Sequence, residues 1–386
     1  MKLASKSDCT ACGACVDICN KNALSISVDS NGFFQVDVHK DRCVECGLCS
    51  RVCPVINELV VTKRSLPYAA WCKDYRLRSK AASGGAFAAI AKSFLEQGAI
   101  VYGAAIDGFD VKHIRISNLS ELPALLGSKY QHSAMTGIYR MVKSDLNAGR
   151  IVLFSGLSCQ VSGIIKYVGE QLSERLFTVD TICGGVSTLL PMVQLAQSEK
   201  YSRIISFRDK SDGWKSTGFQ YRLLMCGKND EVCDLGTNNL VIKSFCCPEL
   251  KRISCLKCRF VGEYRNSDLT IGDFWGDRNF TEEHNDGLSV LILHTQRLEM
   301  YLSYSELELV PINWKDFIEY NSPFYWSDNR YSRLTLKRWR TLRAIRTRNN
   351  KLALMHIMHD SIIDKIIRKI ARLLTESARR EALNKF

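Results

Sequence analysis

Cys9, Cys12, Cys15 and Cys19 follow the spacing C-x2-C-x2-C-x3-C, and Cys43, Cys46, Cys49 and Cys53 repeat it 34 residues later. Three cysteines at such short intervals cannot form ordinary disulfides with one another, but they can curl their sulfurs inward around a compact metal group. The chain carries 17 cysteines, an odd number, and reaches the first motif too early for a signal-peptide apolar region. A reducing compartment and metal ligation are therefore expected rather than a disulfide framework. Zinc is the competing ligand, but zinc sites favour two separated C-x2-C pairs over runs of three.

An iron–sulfur cube needs four thiolates, and in the two-cluster ferredoxin pattern the distant fourth cysteine of each run serves the other cluster. That pattern assigns Cys9, Cys12, Cys15 and Cys53 to one 4Fe–4S cluster, and Cys43, Cys46, Cys49 and Cys19 to a second. Between the runs, Ala23 to Val28 and Phe33 to Val38 flank the turn signal Asp29-Ser30-Asn31-Gly32, which predicts a hairpin. Residues 1–60 thus resemble a bacterial-type dicluster ferredoxin domain, small and α+β. Asn20 stands where that family commonly has proline, and Pro54 keeps the rule in the second run.

Residues 61–330 read differently. A helical stretch, Ala86 to Gln97, alternates with short apolar runs at Ile100 to Ile106, Ile151 to Phe154 and Leu176 to Ile182, with a further strand at Leu288 to His294. The alternation predicts an α/β catalytic region with some parallel strands, and the irregular pattern after Phe219 predicts an α+β extension. Cys159 follows one of these strands and Cys183 closes another. If the two strands are parallel neighbours, both thiols sit at the carboxyl edge of the sheet, where α/β proteins place their sites. With the pair Cys255 and Cys258 in a basic loop, these four are candidates for a third 4Fe–4S cluster. The alternatives are that Cys159 and Cys183 are buried packing residues and that Cys255 and Cys258 bind zinc or nothing. Cys246 and Cys247 are adjacent competitors.

Seven motifs then occur in order: Ser83-Gly84-Gly85-Ala86-Phe87, Gly127-Ser128-Lys129-Tyr130, Ser158-Cys159-Gln160-Val161, Cys183-Gly184-Gly185-Val186, Phe207-Arg208-Asp209-Lys210, Arg252-Ile253-Ser254-Cys255-Leu256-Lys257-Cys258 and Gly272-Asp273-Phe274-Trp275-Gly276. This series, spanning roughly Pro67 to His294, resembles the beta subunit of coenzyme F-420 hydrogenase/dehydrogenase, a family that also includes the plant 7-hydroxymethyl chlorophyll a reductase. Ser158 and Gly184 depart from the proline and histidine common at those places. The resemblance implies an iron–sulfur flavoprotein oxidoreductase that passes electrons between 4Fe–4S clusters and a bound FAD. It supports the third cluster on Cys159, Cys183, Cys255 and Cys258. Coenzyme F-420 or a polysaccharide-pathway intermediate are the candidate organic substrates, and the alternative is a non-catalytic electron-transfer subunit feeding a partner enzyme. A scaffold whose clusters only staple the fold is a third class.

The flavin contacts expected are Ser83, Gly84 and Gly85, where a helix start offers free N–H groups to a pyrophosphate, together with Lys80 and Lys129 as cations for phosphate or carboxylate. Their plain readings are a serine helix cap and two solvated lysines. No Walker loop or hydrolase constellation is present. Partners implied are a redox protein, namely a ferredoxin or a hydrogenase-like or reductase subunit.

The chain's net charge of +13 is unevenly placed. From Arg330 to Phe386, 16 Lys and Arg stand against 4 Asp and Glu, so the body is nearly neutral. Met355, Met358, Ile362, Ile366, Ile370 and Leu373 recur at helical intervals within it, predicting a basic amphipathic tail over 331–386. The tail packs on its own protein, lies on an anionic membrane surface, or docks a partner; nucleic acid is the least supported, for want of a motif. No apolar run reaches the ~18 residues that span a bilayer. A cytoplasmic protein, peripheral at the inner membrane face, is expected.

Overall fold

Continuous apolar runs mark strands that are covered on both faces. Val152, Leu153 and Phe154 are each fully buried, as are Val290, Leu291 and Ile292, and these two runs lie in one large sheet. The computed structural model describes residues 2–57, 66–211, 213–214, 221–262, 265–276, 285–321, 336–360 and 364–366.

The N-terminal unit holds a two-stranded antiparallel hairpin, β1 (Leu24–Val28) with β2 (Phe34–Val38), between two one-turn helices, Ala14–Asp17 and Leu48–Arg51. The body is built from β3 (Leu66–Cys72), β4 (Ile100–Asp107), β5 (Asp110–Ile116), β6 (Val152–Leu157), β7 (Leu176–Thr181), β8 (Tyr201–Ser206), β9 (Leu224–Gly227), β10 (Val232–Asp234), β11 (Leu269–Asp273), β12 (Ser289–Leu293) and β13 (Leu307–Pro311). Eight of these form a mixed sheet in the order β13-β3-β12-β11-β7-β6-β4-β5, and β10-β9-β8 form a smaller one.

The centre of the large sheet is parallel: β4 beside β6, β6 beside β7, β7 beside β11. Helix Ser158–Val168 is the crossover from β6 to β7, a connection that parallel neighbours require. Helix Ala86–Glu96 covers one face of the sheet, packing Ile90 and Phe94 against Val101, Leu153 and Val179. Helices Ile138–Asn147 and Ser158–Val168 cover the other, with Val142, Val161 and Ile164 on Val152 and Phe154.

The α/β reading therefore holds for the body, with one correction. The segment after Phe219 does not form a separate α+β extension. β9 and β10 join β8 in the small sheet, whereas β11, β12 and β13 return to the large one. Distant chain segments fill the gap between β7 and β3, and no local pattern in the sequence reports that pairing.

The start of the basic tail packs on the body. Helices Leu336–Arg346 and Asn350–Met358 bury Leu342, Ile345 and Ala353 against Leu240, Cys247 and Leu250. Met355, Met358 and Ile366, expected on the apolar face, are exposed instead. Asn350–Met358 turns Ala353 inward and stops at His359, which is extended. Ile362, Ile370 and Leu373 lie outside the described residues.

Candidate functional site

The duplication in the sequence is a duplication in backbone. Ala11 and Glu45, 34 residues apart, both take positive φ, at 52° and 54°, and so do Gly13 and Gly47, at 90° and 74°. Each glycine caps its one-turn helix, in a left-handed conformation that costs glycine little. Both runs of three cysteines thus share one loop conformation. Burial pushes the Cys12 thiol up to about 12, and its neighbours Cys9 and Cys53 add to the shift. Cys15 is raised by burial and then by Cys12, Cys9 and Cys53. Burial raises Cys49 as well, with Cys46 and Cys19 as the pressing thiols. The fourth cysteine of each run therefore faces the other run. No cysteine is in a disulfide. Among the described residues no three of these side chains are close enough to hold a single metal ion; thiols gathered in two runs, with Cys12 and Cys49 buried, suit a larger group that takes them as thiolates.

The N-terminal unit is seated on the body through named polar contacts. The Asp17 carboxylate accepts the backbone N–H groups of Gly137 (2.7 Å) and Tyr139 (3.0 Å), at the start of helix Ile138–Asn147. That is where a helix carries unpaired N–H groups and partial positive charge. The Tyr139 hydroxyl donates to the Cys12 carbonyl at 2.8 Å. The buried Arg252 guanidinium donates to the carbonyls of Cys9 and Phe34, and Lys257 pairs with Asp8.

β6 and β7 run parallel side by side, so Cys159 and Cys183 both emerge at the carboxyl edge of the sheet. Cys255 sits in the short helix Ile253–Leu256 and Cys258 just beyond it. All four line one small pocket with Thr10, His132, Ser158, Ser254 and Arg265. Burial drives the Cys159 thiol well up, followed by the effects of Cys258, Cys12, Cys255 and Cys183. Cys258 is pushed up to about 12 by burial, with Cys255 and Cys183 adding to it. Cys246 and Cys247 are not among the lining residues: the Cys247 thiol donates to Glu249 at 3.2 Å, and Cys246 lines the larger cavity described next. Below the pocket, Arg265 and Asp180 form a buried ion pair at 3.0 Å, and Arg265 also donates to Ser158 at 2.6 Å.

A cavity of about 750 Å³ opens beside this pocket, within the range of ligand sites. It lies along the carboxyl ends of β6 and β7 and takes in Ser83, Gly85 and the first turn of helix Ala86–Glu96. Cys183, Gly185 and Val186 line both it and the four-thiol pocket. One flank is aromatic, with Tyr130 stacked on Phe245 at 4.2 Å and edge-on to Tyr221. Lys129 lines the cavity and donates to the carbonyls of Leu125 and Leu126, both at 2.7 Å. Burial pushes its ammonium down to about 7. Asp273, also lining, is held by Arg208 at 2.9 Å.

The other expected contacts fall elsewhere. Lys80, the last residue of helix Tyr75–Lys80, is exposed and does not line the cavity. Gly84 does not line it either. A Cβ there would meet the Ala70 carbonyl at 2.5 Å and the Ser289 nitrogen at 2.6 Å, so this glycine lets the chain pass close to β3 and β12. Ser83 caps no helix: its hydroxyl donates to the Leu288 carbonyl at 2.7 Å, and Gly85 is the cap residue. Sequence reasoning gave no role to His132, Thr10, Arg252, Arg265 or Asp180. The usable signals were the position of Thr10 within the first cysteine run and that of Arg252 at the head of the Cys255–Cys258 motif.

Three family models match the chain. Residues 8–57 match the 4Fe-4S dicluster domain. Residues 67–139 match the N-terminal part, and 149–312 the C-terminal part, of the coenzyme F420 hydrogenase/dehydrogenase beta subunit. The chain belongs to that beta-subunit family. No curated protein matches the sequence. A chain of a xenon-derivatized F420-reducing [NiFe] hydrogenase complex from Methanosarcina barkeri is similar at 16% identity, over 68% of this chain and 91% of its own, with a TM-score of 0.45. As a member of the beta-subunit family with a dicluster domain, the protein is an iron–sulfur electron-transfer subunit of a redox enzyme class. Among the described residues, no helix is long and apolar enough to cross a membrane.

Proposed function

We propose that this protein is an iron–sulfur flavoprotein oxidoreductase: residues 1–60 form a two-cluster electron port, 61–330 a third-cluster and flavin domain, and 331–386 a basic tail. Cys9, Cys12, Cys15 and Cys53 hold one 4Fe–4S cluster, and Cys43, Cys46, Cys49 and Cys19 the second. Cys159, Cys183, Cys255 and Cys258 hold a third, and FAD occupies the large cavity. The observation that carries this reading is that Cys183 lines both the four-thiol pocket and the cavity. When bound, the clusters carry single electrons and the flavin converts them to the two-electron chemistry of an organic substrate.

The chain's own residues supply binding, orientation and exclusion of water. The N–H groups at the start of helix Ala86–Glu96 and the Lys129 ammonium are suited to a pyrophosphate. Tyr130, Tyr221 and Phe245 offer apolar faces to a planar ring system. The Arg265–Asp180 pair fixes Ser158, the residue before Cys159, and so the start of its helix. Arg252 and Asp17 tie the dicluster unit to the body, keeping donor and acceptor groups at fixed separation. The redox partner is a protein that exchanges electrons with the dicluster unit. The excess positive charge beyond Arg330 supports contact with an acidic partner surface or an anionic membrane face in the cytoplasm.

Anaerobic purification of the full chain tests this reading. The expected result is about twelve irons per chain, from three four-iron clusters, with FAD released on denaturation. Eight irons and no flavin would reduce the protein to a two-cluster carrier feeding another enzyme.

A further inference from the structure

His132 is 4% exposed, and among the described residues neither of its ring nitrogens has a hydrogen-bond partner. It is the one histidine among the residues lining the four-thiol pocket. A polar ring buried without partners is costly, and native proteins seldom leave one so. The neighbours that are identified do not relieve the cost. The Phe34 ring lies 5.2 Å away at 46°, offering carbon to the imidazole. The Ser254 hydroxyl, lining the same pocket, is likewise buried and unpartnered. The Thr10 hydroxyl is a third such group, so among the described residues three unpartnered polar side chains border a pocket that is otherwise lined by the four thiols, Ser158, Arg265 and apolar residues such as Leu157, Val186 and Phe260. What they lack is an acceptor, and the inorganic and cysteine sulfurs of an iron–sulfur group are acceptors.

We propose that His132, seconded by Ser254, donates a hydrogen bond to the iron–sulfur group held by Cys159, Cys183, Cys255 and Cys258, and thereby raises its reduction potential. The proposal rests on the third-cluster reading above. A donor to sulfur stabilises the reduced, more negative state, so hydrogen bonding is one of the levers that set the potentials of such groups. His132 is a positioning residue here, because the four thiols remain the ligands. It stands on the side facing the dicluster unit, beside Thr10 and Phe34. The group it tunes therefore lies on the side of the dicluster unit, with which it exchanges electrons.

The test uses the full chain, purified anaerobically, with iron content and an electron paramagnetic resonance redox titration read on the same sample. His132→Leu should retain all irons while reduction of one of three cluster signals becomes about tenfold less favourable, a fall of about 59 mV for a one-electron couple. His132→Gln, which keeps a donor, should recover most of that shift. An unshifted potential in the Leu variant overturns the proposal. In wild-type protein grown with ¹⁵N-histidine, double-resonance spectra should show a weak nitrogen coupling on the same signal. Its absence refutes the hydrogen bond even if the Leu variant fails to fold. Eight irons in the wild type would instead sink the third cluster, a failure distinguishable from a potential that does not move.

Discussion

The Cys12 sulfur lies 3.3 Å from the point where a Cβ on Gly163 would stand. Helix Ser158–Val168, which begins at the edge carrying Cys159, thus presses its bare glycine against the first cysteine run of the dicluster unit. A Cβ there would also come within 2.9 Å of the Tyr139 hydroxyl. The seam is that close because the position has no side chain.

Gly163→Val should therefore push the dicluster unit off the body. Overpacking of a tight contact costs about 1–3 kcal/mol. The loss should appear as a lower urea midpoint and as faster proteolytic release of an N-terminal fragment, with four irons still in the pocket cluster. Unchanged stability and protease resistance would mean that the seam is looser than described.

Cys255→Ala should remove about four irons and leave the eight held by the ferredoxin runs. Cys246→Ala, next to the competing thiol, should remove none. Iron analysis of the two variants side by side decides between these assignments.

Asp17→Ala leaves the N–H groups of Gly137 and Tyr139 without their carboxylate. The expected cost is about 1–2 kcal/mol, in the range of a lost helix cap. Urea denaturation measures it, and Asp17→Asn should recover part of the loss because its amide oxygen still accepts.

Lys129 gives a pH dependence of definite sign. Its folded pKa is lowered to about 7 by burial, against about 10.4 in an unfolded chain. Between these values the unfolded state binds the additional proton, so the apo-protein should gain stability as pH rises through that window. The penalty is fully present below pH 7. Affinity of the apo-protein for FAD should run the other way, weakening as Lys129 loses its charge. Lys129→Met should flatten both profiles, measured by denaturation and by flavin fluorescence quenching between about pH 6 and 9.

What the sequence made legible was governed by spacing. The two cysteine runs, the hairpin between them, and the strands leading to Cys159 and Cys183 are local patterns of fixed period, and each is found where its period placed it. Cys255 and Cys258 meet Cys183 because Lys251 bridges Ser187 and the Arg252 N–H donates to the Val186 carbonyl, long-range pairings that no window of sequence contains. His132 and Arg265 were invisible for a related reason. Their significance is burial beside sulfur, which is a property of the packed chain. Lys80 failed differently: its charge was read as available to a ligand, but the helix ends there and leaves it in solvent.

The central claim is a continuous route from the dicluster unit, through the four-thiol pocket, to the cavity beside Cys183. A reduced ferredoxin, too large to enter that cavity, tests it most directly in anaerobic stopped flow on protein reconstituted with iron, sulfide and FAD. The account predicts rapid bleaching of the flavin band in wild type and, in Cys255→Ala with both ferredoxin clusters intact, reduction of those clusters while the flavin stays oxidised. Equal rates of flavin bleaching in the two proteins would contradict it.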